Sequence, residues 1–257
     1  MRSRLAAELA AEFIGTMLIL LFGAGVVAMV LLFGTGAPGE VVNGGYTNIT
    51  IGWALGVTFG VAAAARISGA HLNPAVTLAL AVFRGFPWPK VAPYAASQTL
   101  GAMAGAMLVW FNYREAILRV DPALEKSAGI FTTFPAFPDA PAAGFFDQVL
   151  GTALLLFLVF VLTDEENITI PPYLAPAMIG LVVLAIGVSF GKLHGYAINP
   201  ARDFGPRLWT VIAGYRVNGL IDGSHVWWVP IAAPLMGGLI GAGLYELTIR
   251  KFLPRDE

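Results

Sequence analysis

Apolar residues run along this chain in long blocks that are separated by short polar stretches. The blocks cover roughly 6–33, 47–66, 91–111, 145–163, 172–191 and 227–249. Each is close to the ~20 residues that an α-helix needs to cross the hydrocarbon region of a bilayer. The pattern therefore predicts an all-α membrane protein with six transmembrane helices.

Composition supports a membrane protein and narrows its possible partners. Of 257 residues, 57% are hydrophobic and 12% charged, and the formal net charge is −1, which argues against nucleic acid as a partner. The absence of cysteine excludes disulfides and thiolate metal sites. The first apolar block contains Glu8 and Glu12 without a small-residue cleavage pattern after it. We therefore expect a retained helix and not a signal peptide.

The positions of the basic residues predict how the chain is oriented. Segment 34–48 has no Lys or Arg, and the acidic stretch 163–167 and the long loop 112–144 carry little weight in this comparison. We expect both termini to be cytoplasmic, in a plasma or inner membrane. The basic residues on the predicted cytoplasmic side are Arg2, Arg4, Arg84, Lys90, Arg250, Lys251 and Arg255.

Four short sequence patterns occur twice, in the same order. "GAHLNPAV" (69–76) resembles "GYAINPAR" (195–202), and "GVTFG", "EFIGT" and "PYAA" are followed at similar offsets by "GVSFG", "QVLGT" and "PIAA". This predicts a single domain, 1–257, with a first repeat at about 5–111, a connecting outer loop at about 112–144 and a second repeat at about 145–251. Because each repeat has three spans, an odd number, the second repeat is inverted in the membrane.

The segments between the second and third spans of each repeat, 67–90 and 192–226, contain apolar runs too short to cross a bilayer. Each holds an Asn-Pro-Ala triplet, in which Asn is a favoured helix N-cap and Pro suits the first helical position. We therefore predict two re-entrant half-helices whose N-termini meet near the middle of the membrane. The triplets are Asn73, Pro74 and Ala75, and Asn199, Pro200 and Ala201.

The backbone before each triplet is not helical, and such backbone is tolerated inside a membrane only where it is buried or faces water. The positive ends of both half-helix dipoles point to the centre and disfavour cations. The sequence thus predicts a pore for neutral solutes. Its expected backbone lining is Gly69, Ala70, His71, Gly195 and Ala197.

Three charged or titratable residues near the triplets have different expected roles. Arg202 is a fixed cation with five donors, and a charge within a membrane span suggests function. Asp203 would point about 100° away from it on a helix and is expected to brace the half-helix start. His71 is expected to brace its loop, and pH gating is the alternative.

Glycines spaced four residues apart recur in the apolar blocks, as at Gly101 and Gly105 and at Gly237 and Gly241. This spacing lets helix backbones approach closely in lipid. We expect tight helix packing at these positions.

The segments "SGAHLNPAVTLAL" and "GYAINPARDFGPR" resemble the two Asn-Pro-Ala loops of the aquaporin (major intrinsic protein) family, and the resemblance covers essentially the whole chain. It implies the aquaporin fold, with six tilted helices and two half-helices, and a homotetramer with a separate pore in each subunit. By position relative to the triplets, it also implies a selectivity filter. Its residues are Trp53, Gly187, Tyr196 and Arg202.

Within the family, Asp203 after the filter arginine and Gly187, where water-selective members carry His, resemble the glycerol-conducting branch. The family also implies that Glu12 accepts hydrogen bonds from the first re-entrant loop. Gln148 stands at the matching position, where many members have a second Glu. We expect this neutral side chain still to support its loop.

The sequence as a whole predicts a passive channel for glycerol, similar small neutral solutes and water, which excludes ions and protons within a lipid bilayer. No cofactor or metal is expected, and the absence of a nucleophile with a base argues against an enzyme. A mainly water-selective channel is the nearest alternative. A secondary active transporter is a remoter one, because inverted repeats with broken helices occur there too.

Overall fold

The computed structural model describes residues 2–35, 37 and 39–254. Arg255 lies outside these residues, as does the side chain of Arg2. The described part folds into eight α-helices and a few short 3₁₀ turns, without a strand. The helices are α1 (Arg2–Leu31), α2 (Gly45–Ser68), α3 (Pro74–Phe83), α4 (Trp88–Val120), α5 (Pro141–Thr163), α6 (Ala175–Phe190), α7 (Pro200–Ile212) and α8 (Val229–Leu247).

The six predicted transmembrane helices correspond to α1, α2, α4, α5, α6 and α8. Four stretches in the described residues are long and apolar enough to cross a membrane by themselves. They are Arg4–Leu31, Val42–Ser68, Pro141–Thr163 and Val226–Phe252. Helix α4 is long but more polar, since it continues past the apolar block at 91–111 to Val120. Helix α6 is apolar but has only 16 residues.

The short helices α3 and α7 begin where the sequence predicts them. Asn73 and Asn199 are extended N-cap residues, and their side-chain oxygens accept hydrogen bonds from the N–H groups of Ala75 (2.8 Å) and Ala201 (3.0 Å). The proline that follows each cap takes the first helical position, where its missing N–H costs nothing. With 10 and 13 residues, these helices are about 15 and 20 Å long, too short to span a bilayer.

Contacts between helices repeat in the two halves of the chain. Helix α1 packs against α2 and α4, and α5 packs in the same way against α6 and α8. Gly101 and Gly105 on α4 lie directly against the main chain of α1, and Gly237 and Gly241 on α8 lie against that of α5. The tight packing predicted from the glycine spacing is confirmed, because a Cβ at any of the four would overlap backbone atoms.

The short helices connect the two halves. Helix α3, from the first half, packs against α8, and α7, from the second half, packs against α4. Helices α2 and α6 close the remaining side. This exchange brings the N-termini of α3 and α7 together at the centre of the bundle and places both asparagines beside the same cavity.

Candidate functional site

A cavity of about 80 Å³ lies at the centre of the bundle, enough for a short file of water-sized molecules. Branched aliphatic side chains from the long helices form part of its lining. The two cap asparagines, Arg202 and residues of the re-entrant loops also line it. The aliphatic residues are Ile19, Val57, Val61, Leu155, Val159, Ile179 and Val183.

The cap asparagines hold the two halves of the chain to each other. Asn73 Nδ2 donates to the carbonyl oxygen of Ile198, and Asn199 Nδ2 donates to that of Leu72, both at 2.8 Å. An amide nitrogen has two hydrogens, so each side chain keeps one donor beyond these bonds. Because both side chains border the cavity, these remaining donors can serve a molecule inside it.

The loops before the caps have an unusual backbone that is the same in both halves. Ala70 and Leu72 have φ angles of 51° and 52°, and Tyr196 and Ile198 have 32° and 43°. Such left-handed conformations cost non-glycine residues about 1–2 kcal/mol each and persist only where surrounding contacts hold them. Surrounding contacts must therefore hold both loops in this strained backbone conformation.

Of the predicted lining backbone, Ala70, His71 and Ala197 border the cavity. Gly69 and Gly195 are not among the residues that line this cavity. Both glycines have positive φ angles, 87° and 66°, and serve to turn the chain into the loop. A Cβ on Gly195 would meet Thr133.

Glu12 supports the first loop from behind. This fully buried carboxylate on α1 accepts hydrogen bonds from the N–H groups of His71 (2.9 Å) and Leu72 (2.7 Å). It also accepts from the Ser68 hydroxyl at 2.6 Å and the Gln98 amide at 2.7 Å. Glu12 thus fixes two of the three N–H groups of the strained segment 70–72, and the Ser68 hydroxyl accepts from the third, that of Ala70.

Gln148 supports the second loop, with help from its neighbour. Its oxygen accepts from the N–H of Ile198 and its nitrogen donates to the carbonyl of His194, each at 2.9 Å. The neighbouring Asp147 is also buried, and its Oδ2 lies 3.5 Å from the same Gln148 nitrogen. Sequence reasoning missed Asp147, although an acidic residue in an apolar block beside Gln148 was a usable signal.

Trp53, Tyr196 and Arg202 all border the cavity. The guanidinium carbon of Arg202 lies 3.8 Å from the centroid of the Trp53 ring, and its Nη1 donates to the carbonyl of Phe131 at 3.4 Å. Arg202 is 7% exposed, so this cation is almost completely withdrawn from bulk water. A polar molecule in the cavity can approach the remaining guanidinium donors.

Gly187 lies behind Tyr196 and does not itself border the cavity. The Cε2 and Cζ atoms of Tyr196 lie 2.9 Å from where a Cβ on Gly187 would stand. Because Gly187 has no side chain, the Tyr196 ring can pack directly against its backbone. Gly23 does the same for Trp53, whose ring occupies the position of a Cβ on that glycine.

His71 and Asp203, two other predicted residues, contact side chains and backbone around the cavity. The His71 ring borders the cavity, contacts Phe86 and Tyr94, and has Nδ1 3.2 Å from the Thr77 hydroxyl. Asp203 is fully buried and does not line the cavity. Its carboxylate accepts hydrogen bonds from the backbone N–H and the hydroxyl of Thr133. These bonds connect the first turn of α7 to the segment between α4 and α5.

Sequence reasoning also missed Phe131, Thr133 and Arg207, which contact Arg202 or Asp203. The spacing of four residues between Asp203 and Arg207, typical of ion pairs on helices, was a usable signal for one of them. Nothing in the sequence singles out the backbone carbonyl of Phe131.

Comparison with known proteins agrees with this architecture. The sequence profile of the major intrinsic protein family matches residues 2–245. Aquaglyceroporin-2 of Rhizophagus irregularis is 40% identical over 242 residues, which are 92% of this chain and 75% of that protein. A probable aquaglyceroporin-2 of Gibberella zeae is 42% identical over 246 residues, 93% of this chain and 71% of that protein.

The X-ray structure of the aquaglyceroporin from Plasmodium falciparum superposes with a TM-score of 0.86 at 29% sequence identity. The match covers 97% of this chain and 98% of that one. Helix order, half-helices and central cavity are thus those of the aquaporin fold, as predicted. The chain is an integral membrane protein and belongs to the major intrinsic protein family.

Proposed function

We propose that this protein is a passive channel for glycerol, similar small neutral solutes and water. The observation that carries the proposal is the mixed lining of the cavity, which combines aliphatic side chains with amide and guanidinium donors. Glycerol has C–H groups on one edge and hydroxyls on the other, so such a lining can serve both parts of the molecule. The relatives named aquaglyceroporins support the same solute class.

We propose Trp53, Gly187, Tyr196 and Arg202 as the selectivity filter. The rings of Trp53 and Tyr196 would contact the carbon edge of glycerol while Arg202 donates to its oxygens. Gly187 contributes by leaving space for Tyr196 and by adding no donor of its own. The cation over the Trp53 ring would repel other cations at this point.

The Asn-Pro-Ala triplets form the second selective region in this proposal. A solute would exchange hydration for the free amide donors of Asn73 and Asn199 and for carbonyl groups of the adjoining loops. The N-termini of α3 and α7 both point at this place, and their positive dipole ends would disfavour cations and a protonated water chain.

The placement of the protein in the cell and in its assembly also belongs to the proposal. We propose a plasma or inner membrane, cytoplasmic termini, and a single domain of two inverted repeats. Ion pairs that join Arg84 to Glu246 and Lys90 to Glu8 support a common location for both terminal regions. A homotetramer in the lipid bilayer, with one pore per subunit, is the proposed assembly.

The test is a stopped-flow measurement on liposomes that contain the purified protein. In an inward glycerol gradient they should shrink and then reswell faster than empty liposomes, without acidification of the interior in a proton gradient. Glycerol entry equal to that of empty liposomes, combined with faster water flow, would reject the solute assignment in favour of a water-selective channel.

A further inference from the structure

A second cavity, with a volume of about 300 Å³, lies apart from the proposed pore. None of the described residues that line it also lines the central cavity. Its walls come from the segment between α4 and α5, the second re-entrant loop and the segment between α7 and α8, together with the first residues of α5 and α8. Its volume is at the lower end of the range of protein cavities that bind small organic molecules.

His194 is the part of the wall that points to a ligand. This residue is 1% exposed, and within the described part of the chain neither of its ring nitrogens has a hydrogen-bond partner. A neutral imidazole has one N–H donor and one acceptor nitrogen, and buried polar groups in folded proteins are almost always hydrogen-bonded. A bound molecule with a hydrogen-bonding group would satisfy this ring.

The His194 ring is held in place on the side away from the cavity. Its carbonyl accepts from the Gln148 amide at 2.9 Å, and the preceding carbonyl, of Leu193, accepts from the N–H of Ala136 at 2.9 Å. Nδ1 is the ring atom nearest to Gly144 on α5, 2.6 Å from where a Cβ on that glycine would stand. Nε2, at the far end of the ring, is therefore the nitrogen left for a ligand, and the site needs little ordering before it binds.

The charges around the cavity favour a neutral ligand. No Lys or Arg is among the described lining residues, and Asp222 is the one carboxylate, so an anion would be repelled. Both Asp222 oxygens are already occupied: Oδ2 accepts from the N–H groups of Asn218 and Gly219, and Oδ1 accepts from the N–H and hydroxyl of Ser224. A cation would thus find no free carboxylate oxygen.

Most of the remaining wall is apolar and built from rings. Flat aromatic molecules pack well against proline and aromatic side chains, because both offer broad, rigid apolar faces. A water molecule would satisfy His194 but would leave these faces without a partner. The wall includes Phe134, Pro135, Pro138, Pro141, Val226 and Trp228.

We propose that this cavity binds a small neutral aromatic alcohol. The ring of the ligand packs against the proline, phenylalanine and tryptophan side chains, and its hydroxyl forms a hydrogen bond with Nε2 of His194. A hydroxyl both donates and accepts, so it serves this nitrogen in either tautomer. The site is separate from the pore and goes beyond the proposed channel function.

The test measures binding directly and does not depend on transport. The purified full-length protein in detergent is titrated with para-fluorophenol, and the fluorine NMR line width is compared with that in empty micelles. The second probe is para-fluorotoluene, which carries a methyl group in place of the hydroxyl. The variants are His194→Phe, which keeps a flat ring without nitrogens, and Val217→Trp, which fills the cavity from its half-exposed wall.

The wild-type protein should bind para-fluorophenol saturably. His194→Phe should weaken this binding about tenfold, because the buried hydroxyl loses its partner, and should leave the binding of para-fluorotoluene unchanged. Absence of saturable broadening in the wild-type protein would overturn the proposal, as would equal affinities of a folded His194→Phe variant and wild type for para-fluorophenol. Excess glycerol should not displace the probe, and displacement would place it in the pore and reject the separate site.

Val217→Trp keeps the test decisive if His194→Phe does not fold. It should weaken the binding of both probes, since the added indole takes the space of their rings. Ile221→Trp is the matched control, because Ile221 lies in the same segment, is 71% exposed and does not line the cavity. Equal affinities of Val217→Trp and Ile221→Trp for para-fluorophenol would place the binding elsewhere and overturn the proposal.

Discussion

Replacing Glu12 should destabilise the protein by an amount that the structure allows us to calculate. With Glu12→Ala, the Ser68 hydroxyl still has the Ala64 carbonyl at 3.4 Å, and the Gln98 amide still has the Thr77 hydroxyl at 3.1 Å. The backbone N–H groups of His71 and Leu72, in the re-entrant loop, lose their acceptor. Two buried donors without partners cost ~1–3 kcal/mol each, or ~2–6 kcal/mol together.

Glu12→Gln should cost about half as much. Glutamine keeps one oxygen, but a nitrogen in place of Oε2 would face both the N–H of Leu72 and the amide of Gln98. The Oε1 atom of Gln98 has no partner in the described residues, so this amide can rotate and accept from the new nitrogen. Only the Leu72 N–H then remains unpaired, which costs ~1–3 kcal/mol.

The assay is thermal unfolding of the purified protein in detergent, followed by tryptophan fluorescence. At about 2–4 °C per kcal/mol for a chain of this size, the alanine variant should unfold about 4–24 °C below wild type, and the glutamine variant about half as far below. Glu115→Gln is the control, because that carboxylate is exposed. Equal losses for the two Glu12 variants, or no loss in either, would refute the hydrogen-bond reasoning.

Three further substitutions test other parts of the structure. Gly187→Ala places a Cβ 2.9 Å from the Tyr196 ring and should push it into the pore, so stopped-flow glycerol permeability should fall more than water permeability; equal falls would contradict this. Arg202→Val should increase the leak of small cations into proteoliposomes, and an unchanged leak would remove Arg202 from the filter. Burial raises the pKa of Asp121, but hydrogen bonds from the following N–H groups outweigh this and lower it from 3.8 to about 2. Its contribution to stability is thus complete above pH 4 and is lost as the pH falls towards 2, so the unfolding temperatures of wild type and Asp121→Asn should converge over that range.

The parts of the site that follow local rules were predictable from the sequence. Asn-Pro at the start of a short apolar run determines where α3 and α7 begin, because the cap bond and the first helical turn involve only neighbouring residues. The limits of α4 were not predictable from hydropathy. Beyond residue 111 it becomes polar but meets no Gly or Pro, so the helix continues to Val120.

The surroundings of the filter could not be predicted, because they depend on contacts between distant residues. The Phe131 carbonyl reaches Arg202 across 71 positions, and Thr133 reaches Asp203 across 70. Backbone carbonyls exist at every position, so no residue type marks the one that matters. The residue that makes room for Trp53, Gly23, was likewise hidden among 30 glycines.

The two halves reach the same loop geometry with different chemistry. In the first half, the carboxylate of Glu12 accepts from two backbone N–H groups. In the second half, Gln148 accepts from only one, that of Ile198. The nitrogen of Gln148 also donates to the carbonyl of His194, which a carboxylate at this position could not do while ionised. Glutamine here therefore holds its loop at two points, through one acceptor and one donor, whereas glutamate in the first half holds its loop through acceptors alone.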